Sequence, residues 1–99
     1  MMVIVVENVP ARLRGRLSLW LAEIRAGVYV GVFSHRTRER IWVEVVQMLG
    51  DGSAAMAWSS ATDSGFEFET AGPNRRLAVD FDGLTLVKFD APTLPEIIR

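Results

Sequence analysis

The chain has 99 residues, 49% of them hydrophobic and 23% charged, with a formal net charge of −1 and no cysteine. That is the length of one domain, able to bury roughly 60–65% of its unfolded surface, and the composition is globular rather than disordered. The absence of cysteine removes disulfide frameworks and thiolate metal sites, no run approaches the roughly 18 apolar residues of a membrane span, and no basic leader precedes the first apolar run, so the expectation is a cytoplasmic protein with no signal peptide and no membrane partner.

The near-neutral total hides an asymmetry. Residues 1–50 carry seven arginines against four glutamates, whereas residues 51–99 carry four basic groups against eight acids. Ten of the eleven basic residues are arginine, whose planar fork suits phosphate better than the point charge of lysine. A general bias toward arginine would give the same count, so position has to decide.

Met2 to Val6 is a short apolar run rich in β-branched residues, the pattern of a central strand buried on both faces. Asn8 or Val9 can cap the next element, and Pro10 suits a first helical turn, where its missing N–H costs nothing. From Leu13 the apolar residues fall at 13, 17, 20, 21 and 24, a helical stripe closed by Gly27 just beyond Arg25. Gly15 inside this helix costs about 1 kcal/mol against alanine, which close approach of a partner or a phosphate backbone would explain.

Val28 to Phe33 is the second predicted strand, with Gly31 as a bulge or close-contact point. Ser34 is placed to cap a helix from His35 to Leu49, with Ile41, Val45, Met48 and Leu49 on its apolar side and Trp42 at the flank; residues 50–52 stop it. Ala54 to Ser60 forms a third strand. It pairs as a hairpin with Gly65 to Thr70, where Phe66 and Phe68 alternate with Glu67 and Glu69. Residues 72–76, G-P-N-R-R, form a loop. Leu84 to Phe89 is a last strand after an Asp82–Gly83 turn, and residues 90–99 form a C-terminal tail that orders against something else. The order β-α-β-α-β-β with a late strand predicts a single α+β domain over residues 1–89, a two-layer ferredoxin-like sandwich with two helices on one face of a small sheet. Its other face has no helix to cover it, and self-association as a homodimer is the natural cover.

Three arginine groups carry the functional signal. Arg12, Arg14 and Arg16 lie at the start of the first helix, with Arg12 and Arg16 on one face and Arg14 elsewhere. Their charges add to the positive end of the helix dipole, which is unfavourable unless an anion such as phosphate sits there. Arg36, Arg38 and Arg40 repeat this design at the second helix, with Arg40 spaced to pair with Glu44. Arg75 and Arg76 form the third group. His35 is the only histidine and cannot build a metal site or a triad alone; it reads as a surface neighbour of phosphate. Glu7 at the tip of the first strand, with Asn8, is the catalytic and metal-ligand candidate, and no second acid stands near it in sequence. Trp20, Trp42 and Trp58 fall in or beside apolar stripes and read as packing rather than base-stacking groups. The Glu67 and Glu69 face cannot favour DNA, so it either points away from a duplex or meets another protein.

The runs E-N-V-P-A-R-L-R-G-R-L, W-L-A-E-I-R-A-G-V-Y-V-G, M-A-W and G-F-E-F-E-T-A-G-P-N-R-R together resemble the type I-E branch of the CRISPR-associated Cas2 family, the small subunit of the spacer-acquisition complex, over about residues 3–89. The resemblance implies a ferredoxin-like homodimer between two dimers of the CRISPR adaptation integrase, supporting double-stranded prespacer DNA, with the C-terminal strand and tail docking the integrase. It places Arg12, Arg14, Arg36, Arg38, Arg75 and Arg76 at DNA-backbone contacts and makes Arg16 structural, pairing with an acid at the dimer interface. Other branches have a β-hairpin before the second helix; the few residues left between the two predicted helices imply that it is truncated here. Nuclease members of the broader family have an aspartate where Glu7 stands, so the rival function is an RNA or DNA endonuclease with one Glu7 per protomer holding a divalent ion such as Mg2+. The scaffold role requires no cofactor. A third reading, a ligand-binding regulatory dimer, lacks a Gly-rich ligand loop.

Overall fold

The structure, a computed structural model, describes residues 1–73, 76–81 and 84–89. In chain order the elements are β1 (Met2–Glu7), α1 (Ala11–Trp20), β2 (Ala22–Arg25), β3 (Val28–Gly31), α2 (His35–Gln47), β4 (Ser53–Ser59), β5 (Phe66–Ala71), β6 (Arg76–Phe81) and β7 (Leu84–Phe89). The first five strands form an antiparallel sheet in the order β2-β3-β1-β4-β5, and β6 pairs with β7. This is an α+β fold in two layers. β1 is central as predicted, with Ile4 opposite Tyr29 of β3 on one side and Met56 of β4 on the other.

The core forms where both helices cover one sheet face. Met2, Ile4 and Val6 point into it from β1, with Tyr29, Ala54 and Met56 beside them, and Leu13 and Leu17 of α1 and Ile41 and Val45 of α2 close it from above. Trp20, Trp42 and Trp58 pack half-buried around this cluster, in line with the packing role expected of them. The alternate residues of β1 behave differently: Val3 is half-buried and Val5 is 39% exposed. The strand predicted to be buried on both faces is therefore covered on one.

The principal correction falls on the first helix. It ends at Trp20, and the stretch expected to continue it is β2, which turns through Gly27 (φ 79°) into β3. Helical spacing at 20, 21 and 24 is misleading because only Leu21 of these is fully buried, as the residue that caps the helix, while Ile24 is 65% exposed on an edge strand. Glu23 holds the turn by accepting the Gly27 N–H at 3.1 Å. A Cβ on Gly27 would stand 2.7 Å from the Val6 carbonyl oxygen, so close approach to β1 also requires glycine there. The hairpin before α2, expected to be truncated, is present with two four-residue strands.

Smaller differences have local causes. Pro10 is the N-cap of α1, with extended backbone, and neither Asn8 nor Val9 caps the helix; Asn8 instead takes a left-handed φ of 55° between strand and helix. Ser34 caps α2 as predicted, its Oγ accepting the Thr37 N–H at 3.3 Å. Gly31 is a close-contact point, where a Cβ would meet Leu21 at 2.5 Å. β4 and β5 form the expected hairpin. Residues 76–81, for which the sequence pattern predicts no element beyond the end of a loop, form β6, which pairs with β7 from Arg76 opposite Phe89 to Phe81 opposite Leu84. The Asp82–Gly83 turn and the tail at 90–99 lie outside the described residues.

Two glycines should respond oppositely to alanine. At Gly15 an added Cβ meets nothing within 4 Å, so no packing within the described chain accounts for this glycine, and Gly15→Ala should stabilise by up to about 1 kcal/mol. At Gly52 the Cβ would lie 2.6 Å from the Glu7 carbonyl oxygen and 2.5 Å from that of Asn8, and Gly52→Ala should cost about 1–3 kcal/mol. Urea midpoints with unchanged slopes would report both.

Candidate nucleic-acid interface

Neither helix has an acid in its first turn. Arg12 and Arg14 on α1 and Arg36 on α2 are exposed, and among the described residues no ion pair engages them. Free guanidinium groups beside an uncompensated positive dipole end form a surface that an anion stabilises. The two helix starts are not adjacent. α1 leaves the Glu7 end of β1, whereas α2 begins beyond Gly31, which is paired with Met2 at the other end. The helices therefore run antiparallel, and α2 alone, with its 13 residues, spans about 20 Å. Arg12 and Arg14 stand at one end of the helical layer, Arg36 and Arg38 at the other.

Arg38 differs from the rest. It is half-buried, with its guanidinium carbon 4.2 Å from the centre of the Trp58 ring and Nη2 2.7 Å from His35 Nδ1. Its Nε is covered by protein and has no hydrogen-bond partner. His35 Nε2 stands 4.0 Å from Glu39, one helical turn on.

Arg16 is structural, but not in the expected way. It forms a two-pronged pair with Glu44 of the same chain, Nε to Oε1 at 3.0 Å and Nη2 to Oε2 at 3.1 Å, and lies 5.5 Å from the Trp20 ring centre. This pair ties α1 to α2. Glu44 is therefore committed across the helices rather than to Arg40 on its own helix, and Arg40 instead lines a cleft with Trp20, Phe33 and Thr37.

At the other end of β1, Glu7 and Asn8 are exposed and line a cleft of about 400 Å³ with Asp51, Ser53, Thr70 and Pro73. Asp51 is the second acid that no sequence neighbour of Glu7 supplied. It arrives because the turn after α2 crosses beneath the strand tip, with Gly52 against the Glu7 and Asn8 backbone. Among the described residues, no group of three or more His, Cys, Asp or Glu is placed to hold a metal. Glu67 and Glu69 stand opposite Trp58 and Met56 on the helix side of the sheet, and Glu67 accepts a hydrogen bond from Ser60 Oγ at 2.6 Å. Arg75 lies outside the described residues, and Arg76 opens β6.

What the described residues define is a small α+β protein with exposed arginines at both helix starts and an open cleft at the strand tip. The family model described as "CRISPR-associated protein (Cas_Cas2CT1978)" matches residues 1–86. The chain belongs to this family of CRISPR-associated Cas2 proteins, which is consistent with a role in spacer acquisition and in antiviral defence, and implies partners in CRISPR adaptation. No helix among the described residues is long and apolar enough to cross a membrane.

Arg14 rests on Tyr29, which is fully buried and directs its hydroxyl toward the Arg14 carbonyl oxygen at 3.5 Å. Burial raises the Tyr29 pKa above its ordinary value of 10.0, and the nearby Glu23 carboxylate adds to the rise, against weaker lowering contributions from Ser18 and Arg14. The unfolded chain then releases this proton before the folded one. Stability is therefore complete below about pH 10 and is lost as pH rises through the folded value. Denaturation midpoints followed upward from about pH 10 should show this loss, and Tyr29→Phe should remove its tyrosine component.

Proposed function

We propose that this protein is a homodimeric, ferredoxin-like scaffold of the type I-E branch of CRISPR adaptation. It holds double-stranded prespacer DNA through arginine–phosphate contacts without reading sequence, and it docks the adaptation integrase. The observation that carries this reading is the set of unpaired arginines Arg12, Arg14 and Arg36 at two helix starts that lack a first-turn acid. Contacts of this kind position a duplex and confer no base preference. Their separation along the helical layer suits an elongated ligand better than a single small anion. Arg38 contributes from the same helix start as Arg36, and the family resemblance assigns Arg75 and Arg76 the same role.

The strand order β2-β3-β1-β4 interleaves two β-α-β units, which supports a ferredoxin-like sandwich. The homodimer is supported by the uncovered sheet face. Val3, Val5, Ala55, Ala57, Phe66 and Phe68 line a shallow trough there of about 300 Å³. Val5 and Phe66 are each 39% exposed, and a second copy would remove this apolar surface from water.

The rival reading is a metal-dependent endonuclease, favoured by the presence of Glu7 and Asp51 in one cleft. Glu7 and Asp51 are the residues that would hold a divalent ion such as Mg2+, and the ion would supply an activated water. The cleft is open and the acids are few, so the scaffold is preferred.

Three measurements test these readings. Spacer integration with the integrase present should survive Glu7→Ala; its loss, with dimerisation and DNA binding intact, would favour the nuclease. Duplex affinity of the complex should fall steeply with salt, and reversing the charge at Arg14, Arg38 and Arg76 should flatten the slope by about one unit for each phosphate no longer neutralised. An unchanged slope refutes the surface. Val5→Asp should shift the sedimentation mass from dimer to monomer, and a persistent dimer would overturn the sheet-face assignment.

A further inference from the structure

Of Arg12, Arg14, Arg36 and Arg38, it is Arg38 whose guanidinium is held by other side chains among the described residues. The indole of Trp58 lies beneath it, with the guanidinium carbon 4.2 Å from the ring centre, and His35 Nδ1 meets its Nη2 at 2.7 Å. A guanidinium can only donate. In this contact Arg38 is therefore the donor and His35 Nδ1 the acceptor. The stack is close enough to shield Nε, which is covered and has no partner. Nη1 remains without a hydrogen bond among the described residues.

We propose that Trp58 and His35 are positioning residues of the DNA surface: together they hold the Arg38 guanidinium in place, so that it meets phosphate with little ordering left to do. The proposal rests on the DNA-scaffold reading and adds two residues that no arginine count would select. Long cationic side chains lose rotamer freedom when they bind, and a stacked arginine has lost part of it beforehand. Among the described residues, Arg12, Arg14 and Arg36 have no such support. The charged groups around the pair are Glu39 on the same helix, 4.0 Å from His35 Nε2, and Glu67 on β5, paired with Trp58 in the sheet.

The test uses the full-length protein and a random-sequence duplex. In the DNA-free protein, Arg38 side-chain protons should be shifted upfield by the Trp58 ring current, and Trp58→Leu should abolish the shift while Trp58→Phe retains part of it. His35→Ala should weaken duplex binding two- to fivefold. His35→Asn, which offers an amide oxygen near the place of Nδ1, should restore binding to within about twofold of wild type. Equal losses for His35→Ala and His35→Asn would overturn the role of the Nδ1 hydrogen bond. Unshifted Arg38 protons, in a protein that still loses affinity on Arg38→Ala, would overturn the positioning while leaving the DNA reading standing. An Arg38→Ala protein that binds duplex as wild type does, with the shift present in the parent, would overturn the DNA reading of Arg38 and the role assigned to its two supports.

Discussion

The structure depends on a central strand that has two faces and, among the described residues, helices over one of them. Both helices pack on the Met2, Ile4 and Val6 side of β1, and this burial stabilises the monomer's single core. The same arrangement leaves Val3 and Val5 on the other side with neighbours drawn from β4 and β5. Both consequences follow from one apolar run with both helices on the same side of it. The charged surface is a product of the same geometry. Helices that return antiparallel over a sheet must start at opposite ends of it, which distributes the arginines along the layer instead of gathering them.

Arginines that look equivalent in the sequence do three different things. Arg12, Arg14 and Arg36 are exposed and have no acidic partner among the described residues. Arg16 is joined to Glu44 by two hydrogen bonds and holds the helices together. With both side chains partly exposed, such a pair contributes at most about 1 kcal/mol, so its effect is to fix how the helices lie rather than to hold the fold. Arg38 lies on an indole. The spacing of four residues does place Arg12 and Arg16 on one face, but a shared face does not imply a shared function when one of the two meets a carboxylate from the neighbouring helix.

Much of this was legible from residue pattern. The centrality of β1, the Ser34 cap, the β4–β5 hairpin and the close approach at Gly31 follow from period, capping chemistry and glycine placement. The end of α1 was not legible, because Leu21 and Ile24 continue a helical stripe and nothing local announces that β3 will offer them a strand partner. β6 had a signal, the alternation of Leu77, Val79 and Phe81 before Asp82–Gly83, that the preceding Gly-Pro-Asn loop obscured. At the site, Asp51 was hidden for a different reason. It belongs to the turn that stops α2, and its proximity to Glu7 exists only once α2 has returned along the sheet. The placement of Trp58 beneath Arg38 is likewise a long-range meeting of a strand and a helix start.

The backbone at the tip of β1 is crowded on successive levels. Gly52 lies against the carbonyls of Glu7 and Asn8, and Gly72 in turn lies against the Gly52 carbonyl oxygen and Ser53. A side chain at either glycine would push these segments apart. The Glu7 side chain, by contrast, extends from this frame into solvent. The frame is thus intolerant of substitution while the acid it presents is replaceable without cost to folding. In evolutionary terms, a lineage could lengthen, shorten or neutralise that acid and keep the same architecture, so persistence of the fold carries no information about whether the acid still works.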